Sequence, residues 1–169
     1  MKYYFRKIYN SELSIAYNLH CNLVERMLQK GIRQWLQPID IQKLIDRQTK
    51  GENFGLFDKE NEMKVFLSLT KRSDYHEWKS FLTLSSSIWL NTVSVNTNNI
   101  EKGLGKIAIQ YALKYLKENS VKELYLDCVI NDGFLVNYYE GLGFTKIAET
   151  LASYRSGHFL VALMKKEIK

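Results

Sequence analysis

The sequence predicts an α/β (α+β) fold, a single domain over residues 1–169 with helices on both faces of a mixed, mostly antiparallel, twisted sheet. About seven strands are expected, because strand-like and helix-like stretches follow each other in the order β-α-α-β-β-β-α-β-α-β-β. Turn compositions between several strands predict hairpins. One strand–helix–strand stretch over 88–130 predicts a crossover, and hairpins together with a crossover imply a mixed sheet.

The composition bounds the class of protein. The chain has 169 residues, of which 46% are hydrophobic and 13% aromatic, enough for a core and too many for a disordered chain. The charged start of the chain lacks the apolar run of a signal peptide, and no apolar run is long enough to span a bilayer. Two cysteines, Cys21 and Cys128, are too few for a disulfide framework or a zinc site. We expect a cytoplasmic protein, with no membrane partner.

The net charge of +6 is compatible with an acidic ligand. Lysine and arginine are spread along the whole chain and never form a long run. Nucleic acid is therefore not the expected partner, because tracking a phosphate backbone needs a concentrated basic patch. A cofactor with several phosphates would also suit a basic protein.

The first half of the chain predicts a strand, two helices and a hairpin. Aromatic alternation marks the first strand, and apolar residues at helical spacing mark both helices. The composition of 58–61 favours a hairpin turn, while the aromatic stretch 70–87 predicts a loop that packs or lines a pocket. The predicted elements are a strand over 2–9, helices over 10–31 and 39–50, and strands over 53–57 and 63–69.

The second half contains the stretch most indicative of function. An apolar strand leads into a polar loop with two glycines, Gly103 and Gly105, and then into a long amphipathic helix. A second apolar strand and a short aromatic helix ending in Gly-Phe follow. The predicted elements are strands over 88–95 and 123–130, a helix over 103–119, a short aromatic helix in 136–144 that Asp132 can start, and strands over 145–149 and 158–164 with a turn at 156–157.

The glycine loop favours an anionic ligand. Glycines at a strand-to-helix junction let backbone N–H groups approach an anion, and the helix dipole is positive there. Lys102 and Lys106 flank the glycines. A Gly-x-Gly alone is a weak signal, and the loop matches neither the P-loop pattern nor the three-glycine dinucleotide pattern. The loop therefore favours binding of a pyrophosphate but does not identify the cofactor that carries it.

Four runs together resemble the GCN5-related N-acetyltransferase (GNAT) superfamily. They are Val93–Val95, Gly103–Gly105, Leu124–Cys128 and the run Tyr-Tyr-Glu-Gly-Leu-Gly-Phe over 138–144. The resemblance covers nearly the whole chain and is tightest over 88–149. It implies the GNAT fold, acetyl-CoA as donor, and transfer of its acetyl group directly to a primary amine of a small molecule or peptide.

The resemblance also implies roles for individual residues. The backbone of Val93, Ser94 and Val95 would pair with the pantetheine arm, with the Val95 N–H on the thioester carbonyl. The pyrophosphate would be wrapped by the backbone of Glu101, Lys102, Gly103, Leu104, Gly105 and Lys106. Either Asn131 or Asp132 would face the cofactor. Tyr139, which also contacts the cofactor, would protonate the leaving thiolate.

Two positions depart from the family pattern. Ile100 stands where the family has glutamine or arginine, so a side chain that could contact phosphate is missing. Asp132 stands where an asparagine is frequent, and Asn131 precedes it. A carboxylate is less favourable than an amide beside a polyanion, so either the register differs by one residue or this contact is lost.

The chemistry at Tyr139 suits an acid. A phenol has a reference pKa of about 10 and a thiol of about 8.5, so the phenol stays protonated and can give its proton to a departing thiolate. The alternative is that Tyr138 and Tyr139 are both core aromatics. The general base is undecided between Asp127, Glu77, His76 and a water relay. Cys128 is expected in the core, and no metal is implied.

An acetyl-CoA-dependent N-acyltransferase is the function that the sequence favours. The alternatives are a non-catalytic acyl-CoA sensor of the same fold, a basic RNA-binding domain, or a binder of another phosphate-bearing cofactor. The acceptor is not predicted, because no motif matches in 11–50 or 70–87, which would build its pocket. A homodimer is compatible with the sequence.

Overall fold

The structure is a computed structural model that describes residues 2–71, 78, 87–96, 98, 101–130, 133–154 and 157–169. Within these ranges no helix has the length and apolar character needed to cross a membrane. The elements are β1 (Tyr3–Lys7), a 3-10 turn (Asn10–Glu12), α1 (Leu13–Gln29), α2 (Ile41–Thr49), β2 (Asn53–Asp58), β3 (Met63–Thr70), β4 (Ile88–Val95), α3 (Leu104–Glu118), β5 (Glu123–Val129), α4 (Phe134–Glu140), β6 (Thr145–Tyr154) and β7 (Gly157–Glu167).

The strands form one seven-stranded sheet in the order β1-β2-β3-β4-β5-β7-β6. Every neighbouring pair is antiparallel except β4 and β5, which are parallel and joined by α3. The predicted fold class, a mixed and mostly antiparallel sheet with helices on both faces, is confirmed. The predicted crossover over 88–130 is the β4–α3–β5 unit.

The final hairpin is longer than predicted. Strand β6 continues past Glu149 to Tyr154, and β7 begins at Gly157, which the sequence assigns to the turn. The two strands pair continuously from Thr145 opposite Lys165 to Tyr154 opposite Gly157, with one irregularity. Because β6 is an edge strand, cross-strand pairing rather than a strong apolar alternation defines its length.

The two faces of the sheet carry separate cores. One core joins α3 and α4 to alternate residues of the central strands, such as Leu67, Leu90 and Leu126. On the opposite face, α1 and α2 cover Phe57 and Phe66. Beyond β4 on that second face lies a cluster around three aromatic side chains: Trp78, Trp89 and Tyr125. Alternation along each strand divides the apolar residues between the faces.

The sheet opens between β4 and β5. These parallel strands pair only at Ile88 with Leu124 and at Trp89 with Tyr125, although β4 continues to Val95. A β-bulge also lies in β4, because Ser94 and Asn91 face Phe66 and Ser68, so three steps on β4 match two on β3. Thr92, inside the bulge, has φ of 56°, which β-branched residues rarely adopt. The opening and the bulge position the candidate site.

Candidate active site

A cavity of about 380 Å³ lies in the opening between β4 and β5. Residues from both faces of the sheet line it. Helix α1 and the segment after it contribute from one face, and α4 with Gly105 contributes from the other. Residues of β4 and Asp127 of β5 form the walls between them. Ligands approaching from opposite faces of the sheet can therefore meet inside it.

The N-terminus of α3 lies at one side of this cavity. Gly103 precedes the helix with φ of 83°, the left-handed conformation that favours glycine. The first bond of the helix runs from the Ile107 N–H to the Gly103 carbonyl, so earlier N–H groups of the turn have no helical acceptor. Among the described residues no side chain caps this end. The arrangement fits an anion.

Gly105 is the place where the backbone of α3 approaches the cavity. A Cβ added there would lie 3.1 Å from the Tyr138 hydroxyl oxygen and 3.4 Å from Val95 Cγ2. A side chain at 105 would therefore fill space between α3, β4 and α4. Gly105, whose backbone is predicted to approach a bound anion, lies where the backbone of α3 can reach the cavity.

The remaining loop residues differ in their surroundings. Leu104 is buried in the core, whereas Lys102 and Lys106 are exposed beside the start of α3. The Glu101 carboxylate accepts hydrogen bonds from Tyr3 and, at 2.7 Å, from Lys2 Nζ. These bonds, that of Lys2 foremost, lower the pKa of Glu101. They attach the loop to β1.

The three predicted residues of β4 divide between two environments. Val93 and Val95 line the cavity, while the Ser94 side chain is fully buried on the α1 face. The Ser94 hydroxyl lies 3.1 Å from His20 Nδ1. In the described strands, the edge of β4 beyond Trp89 has no partner on β5. Backbone pairing with an extended ligand is therefore possible along this edge.

A buried polar network underlies the bulge, and its extent was not predicted. Arg47 is 0% exposed, and its Nη1 donates to Thr92 Oγ1 at 2.8 Å and to Ser68 Oγ at 3.3 Å. Ser68 Oγ in turn donates to Asn53 Oδ1 at 2.9 Å. The sequence contains one indication that Arg47 is buried. Arg47 follows Leu44 by about one helical turn, so both residues lie on the same face of α2.

His20 completes this network as a neutral base. Its Nε2 accepts a bond of 3.1 Å from the Ile39 N–H, which leaves Nδ1 to donate to Ser94 Oγ. Burial, assisted by the charge of Arg47, lowers the pKa of His20 to about 4. Both ring nitrogens of His20 are thus engaged by protein groups.

Tyr139 lines the cavity from α4. Its ring makes edge contacts with Tyr138 and Phe144 at centroid distances of 5.2 and 5.8 Å. No hydrogen bond joins its hydroxyl to another side chain within the described part of the chain. Burial, with smaller contributions from Cys128, Tyr138 and Asp127, raises the pKa of Tyr139. The phenol is therefore protonated near neutral pH and available to a ligand.

Tyr138 and Cys128, whose side chains both lie near Tyr139, differ in how far they are buried. Tyr138 also lines the cavity but is 37% exposed. Cys128 is buried in the core, as expected, and burial raises the pKa of its thiol to about 12. A thiol that stays protonated is a poor nucleophile, so these surroundings do not favour an acyl-cysteine intermediate.

Asp127 is the base candidate that the structure brings to the cavity. Its carboxylate accepts a hydrogen bond of 3.2 Å from Trp78 Nε1, and the residue is only partly buried. Among the described lining residues it is the one carboxylate. Five residues singled out from the sequence lie outside the described ranges: His76, Glu77, Ile100, Asn131 and Asp132.

Comparison with known proteins agrees with this architecture. The profile of the acetyltransferase (GNAT) family matches residues 57–144. No curated protein sequence matches the chain. The structure resembles a GNAT-family acetyltransferase from Listeria monocytogenes with a TM-score of 0.79 and 20% identity, covering 98% of this chain and 94% of the other.

Two further structures have named acceptors. A spermidine N-acetyltransferase from Vibrio cholerae, solved with CoA and spermine, has a TM-score of 0.72 and 16% identity, covering 99% of this chain and 96% of its own. The ribosomal-protein-S18-alanine N-acetyltransferase from Escherichia coli has a TM-score of 0.71 and 16% identity, with coverage of 99% and 94%. At such identities the likeness establishes the shared fold alone.

Proposed function

The chain belongs to the acetyltransferase (GNAT) family of acyl-CoA-dependent N-acyltransferases, and we propose that it moves an acetyl group from acetyl-CoA directly to a primary amine. The match of the family profile to residues 57–144 confirms the predicted family. The observation that carries the proposal is the cavity between β4 and β5, which joins the α3 N-terminus and Tyr139 on one face to the α1 side on the other. A donor and an acceptor can meet there without a covalent enzyme intermediate.

The described residues fit the donor. The N–H groups at the start of α3, with Lys102 and Lys106 beside them, suit its phosphates. Gly105 leaves room for its approach, and the unpaired edge of β4 over Val93–Val95 suits the amides of its pantetheine arm. When bound, acetyl-CoA supplies an acetyl group activated as a thioester.

Two side chains of the cavity would act as the proton donor and the proton acceptor. Transfer forms a C–N bond and breaks a C–S bond, so the amine loses one proton and the departing sulfur gains one. Tyr139 is the proposed donor to sulfur, since its hydroxyl is protonated and lines the cavity. Asp127 is the proposed acceptor from the amine, directly or through water, because it supplies a carboxylate at the same cavity.

The acceptor is proposed to be a small molecule or peptide with a primary amine. Structural neighbours with similar TM-scores are named for acceptors as different as spermidine and a ribosomal protein alanine, so likeness does not choose between them. The cytoplasmic location and a homodimer remain predictions.

A thermal-shift measurement tests the donor site. Acetyl-CoA at 100 times its dissociation constant should stabilise the protein by about 2.7 kcal/mol and raise its melting temperature. Gly105→Glu adds bulk and negative charge at the approach to the cavity and should abolish the shift. Gln110→Glu, an exposed position further along α3, adds the same charge and should keep it. Equal shifts in both variants would remove the assigned donor site.

Release of free thiol from acetyl-CoA, measured across a panel of amines, tests the transfer itself. Amine-dependent release together with formation of the N-acetyl product supports the enzyme. Tight acetyl-CoA binding without release on any amine would instead identify an acyl-CoA sensor.

A further inference from the structure

The apolar stripe of α1 is longer than the core that it covers. Ala16 and Leu19 are buried in the core beneath the helix. Leu23 and Met27 continue the stripe one and two turns beyond Leu19, because residues four apart lie on one face of a helix. Both are only half-buried, and both line the cavity. The end of the stripe therefore faces the cavity and not the core.

The segment after α1 extends this apolar surface. Ile32 and Trp35 are half-buried and line the same cavity. The Trp35 ring packs edge-on against His20 at a centroid distance of 5.0 Å, which holds it beside α1. Four side chains together form what we call the apolar wall: Leu23, Met27, Ile32 and Trp35. None of the four belongs to the three cores formed by the described residues, so the fold leaves their surface to the cavity.

Three polar side chains that line the cavity with the apolar wall are already bonded within the protein. Gln34 Oε1 accepts a hydrogen bond of 2.8 Å from the Val129 N–H, and Asn91 Nδ2 donates to Thr70 Oγ1 at 2.8 Å. Thr92 Oγ1 accepts a bond from the buried network described above. The cations that also line this side are exposed residues, so they lie toward its solvent edge: Arg26, Lys30 and Lys43. A ligand that enters from the α1 side therefore meets mainly apolar surface.

We propose, building on the proposed function, that the acceptor is a monoamine with an apolar substituent, of the alkylamine or arylalkylamine class. Its nitrogen lies in the opening between β4 and β5, and its substituent packs on the apolar wall. Pockets that recognise small molecules are typically apolar with a few polar groups that orient the ligand. The bonds made and broken and the proton transfers are those of the proposed function, and the substituent takes no part in them.

This assignment separates the chain from polyamine acetylation. A polyamine carries at least one further ammonium group along its length. Placing that group on the apolar wall would remove its hydration without a hydrogen-bonding partner, which costs free energy, whereas an alkyl or aryl group gains free energy there. The acceptor class thus follows from the apolar surface that the fold leaves open.

Unbranched primary amines from ethylamine to octylamine test the assignment, because the basicity of the amine stays nearly constant while the apolar length grows. Each methylene buried on the wall should raise kcat/KM about four-fold, the equivalent of about 0.8 kcal/mol, until the wall is covered. Release of free thiol from acetyl-CoA, with the N-acetyl product identified by mass spectrometry, measures this dependence. Turnover that does not depend on chain length would overturn the inference and leave the proposed function standing.

Three isosteric acceptors separate apolar burial from length. Hexylamine, 5-aminopentan-1-ol and 1,5-diaminopentane have the same number of non-hydrogen atoms, and they end in a methyl, a hydroxyl and an ammonium group. We expect kcat/KM to be at least about ten-fold higher for hexylamine than for the alcohol, and lowest for the diamine. Equal turnover of all three, or a preference for the diamine, contradicts the assignment.

Leu23→Gln locates the apolar wall, and Leu28→Gln is its matched control. Leu28 lies on the same helix, is 40% exposed and is not among the described residues that line the cavity. Leu23→Gln should lower kcat/KM about ten-fold for hexylamine and hardly at all for ethylamine, which places little surface on the wall. Met27→Gln is a second variant with the same expectation, and Leu28→Gln should change neither amine. An equal loss for both amines, or no loss for hexylamine, contradicts the assigned wall.

Calorimetric titration in the presence of coenzyme A keeps this inference separate from the transfer reaction. Hexylamine should bind at least about ten-fold more tightly than ethylamine, and Leu23→Gln should remove most of that difference. Such a result supports the inference even if no amine is acetylated, in which case the proposed transfer alone fails. Equal binding of the two amines, or binding of neither, overturns the inference, and acetyl-CoA-dependent shifts of the melting temperature would still stand.

Discussion

The two walls of the cavity are built on opposite physical principles. The β4 wall is irregular, and a buried polar network of Arg47, His20 and Ser94 supports it from α1 and α2. The α4 wall rests on apolar and aromatic packing, in which Tyr139 contacts Phe144. Where a sheet departs from regular pairing, buried hydroxyl and backbone groups need specific partners, and where it stays regular, apolar burial suffices. We therefore expect the β4 wall to set geometry and the α4 wall to supply the reacting proton.

The largest effect should come from the α4 wall. Tyr139→Phe keeps the ring packing and removes the proton, so turnover should fall about 10²–10⁴-fold while stability and acetyl-CoA affinity stay nearly unchanged. Steady-state kinetics and thermal melts measure both. Tyr138→Phe is the control and should stay within a few-fold. Full activity in both variants would mean that water protonates the sulfur, and unfolding of Tyr139→Phe would assign its hydroxyl a structural role.

The next effect should come from the β4 wall. Arg47→Met removes the donor to Thr92 and Ser68 and should lower the free energy of unfolding by about 1.5–3 kcal/mol. Because Thr92 holds the bulge in a rare conformation, acetyl-CoA binding should weaken as well. Urea denaturation measures the free energy of unfolding, and calorimetry measures the affinity for acetyl-CoA. Arg33→Met, at an exposed position, should leave both unchanged. A variant with parental stability and affinity would show that the network does not hold the bulge.

The free energy of unfolding should depend on pH through His20, which supports the β4 wall. The pKa of His20 is lowered to about 4 in the folded protein, against about 6.5 for an unfolded histidine. The unfolded chain thus binds this proton first, so stability present above pH 6.5 is lost as pH falls toward 4, at up to about 1.4 kcal/mol per pH unit. Urea midpoints across this range measure it. His20→Gln should flatten that part of the profile, and an unchanged slope would exclude His20 as its source.

The smallest effect should come from Ser94→Ala. The change deprives His20 Nδ1 of its partner at 3.1 Å and should cost about 1 kcal/mol of stability. Ser14→Ala, exposed on α1, is the matched control and should be neutral within error. If both serines behave alike, the His20–Ser94 bond adds nothing to the β4 wall.

Prediction from the sequence succeeded where the signal is local. The apolar strand 88–95, the glycines before α3 and the amphipathic helix each follow from neighbouring residues, and the structure has them as β4, the α3 N-terminus and α3. The motif that ends in Gly143-Phe144 predicts a role for Tyr139 at the site, and Tyr139 lines the cavity. The extent of β6 was underestimated, because an edge strand carries little apolar alternation.

The sequence alone determined the order of elements, the fold class, the family and the residues of the glycine loop, because these depend on short-range spacing. Only the tertiary structure decided how the β4 wall is supported. His20 and Ser94 are 74 residues apart in the chain and Arg47 and Thr92 are 45 apart, yet each pair is hydrogen-bonded. Likewise Asp127 shares a cavity with residues of α1 and α2 only because β4 and β5 diverge. Periodicity reports which face a residue occupies, whereas contacts between distant residues arise only when the chain closes into its sheet.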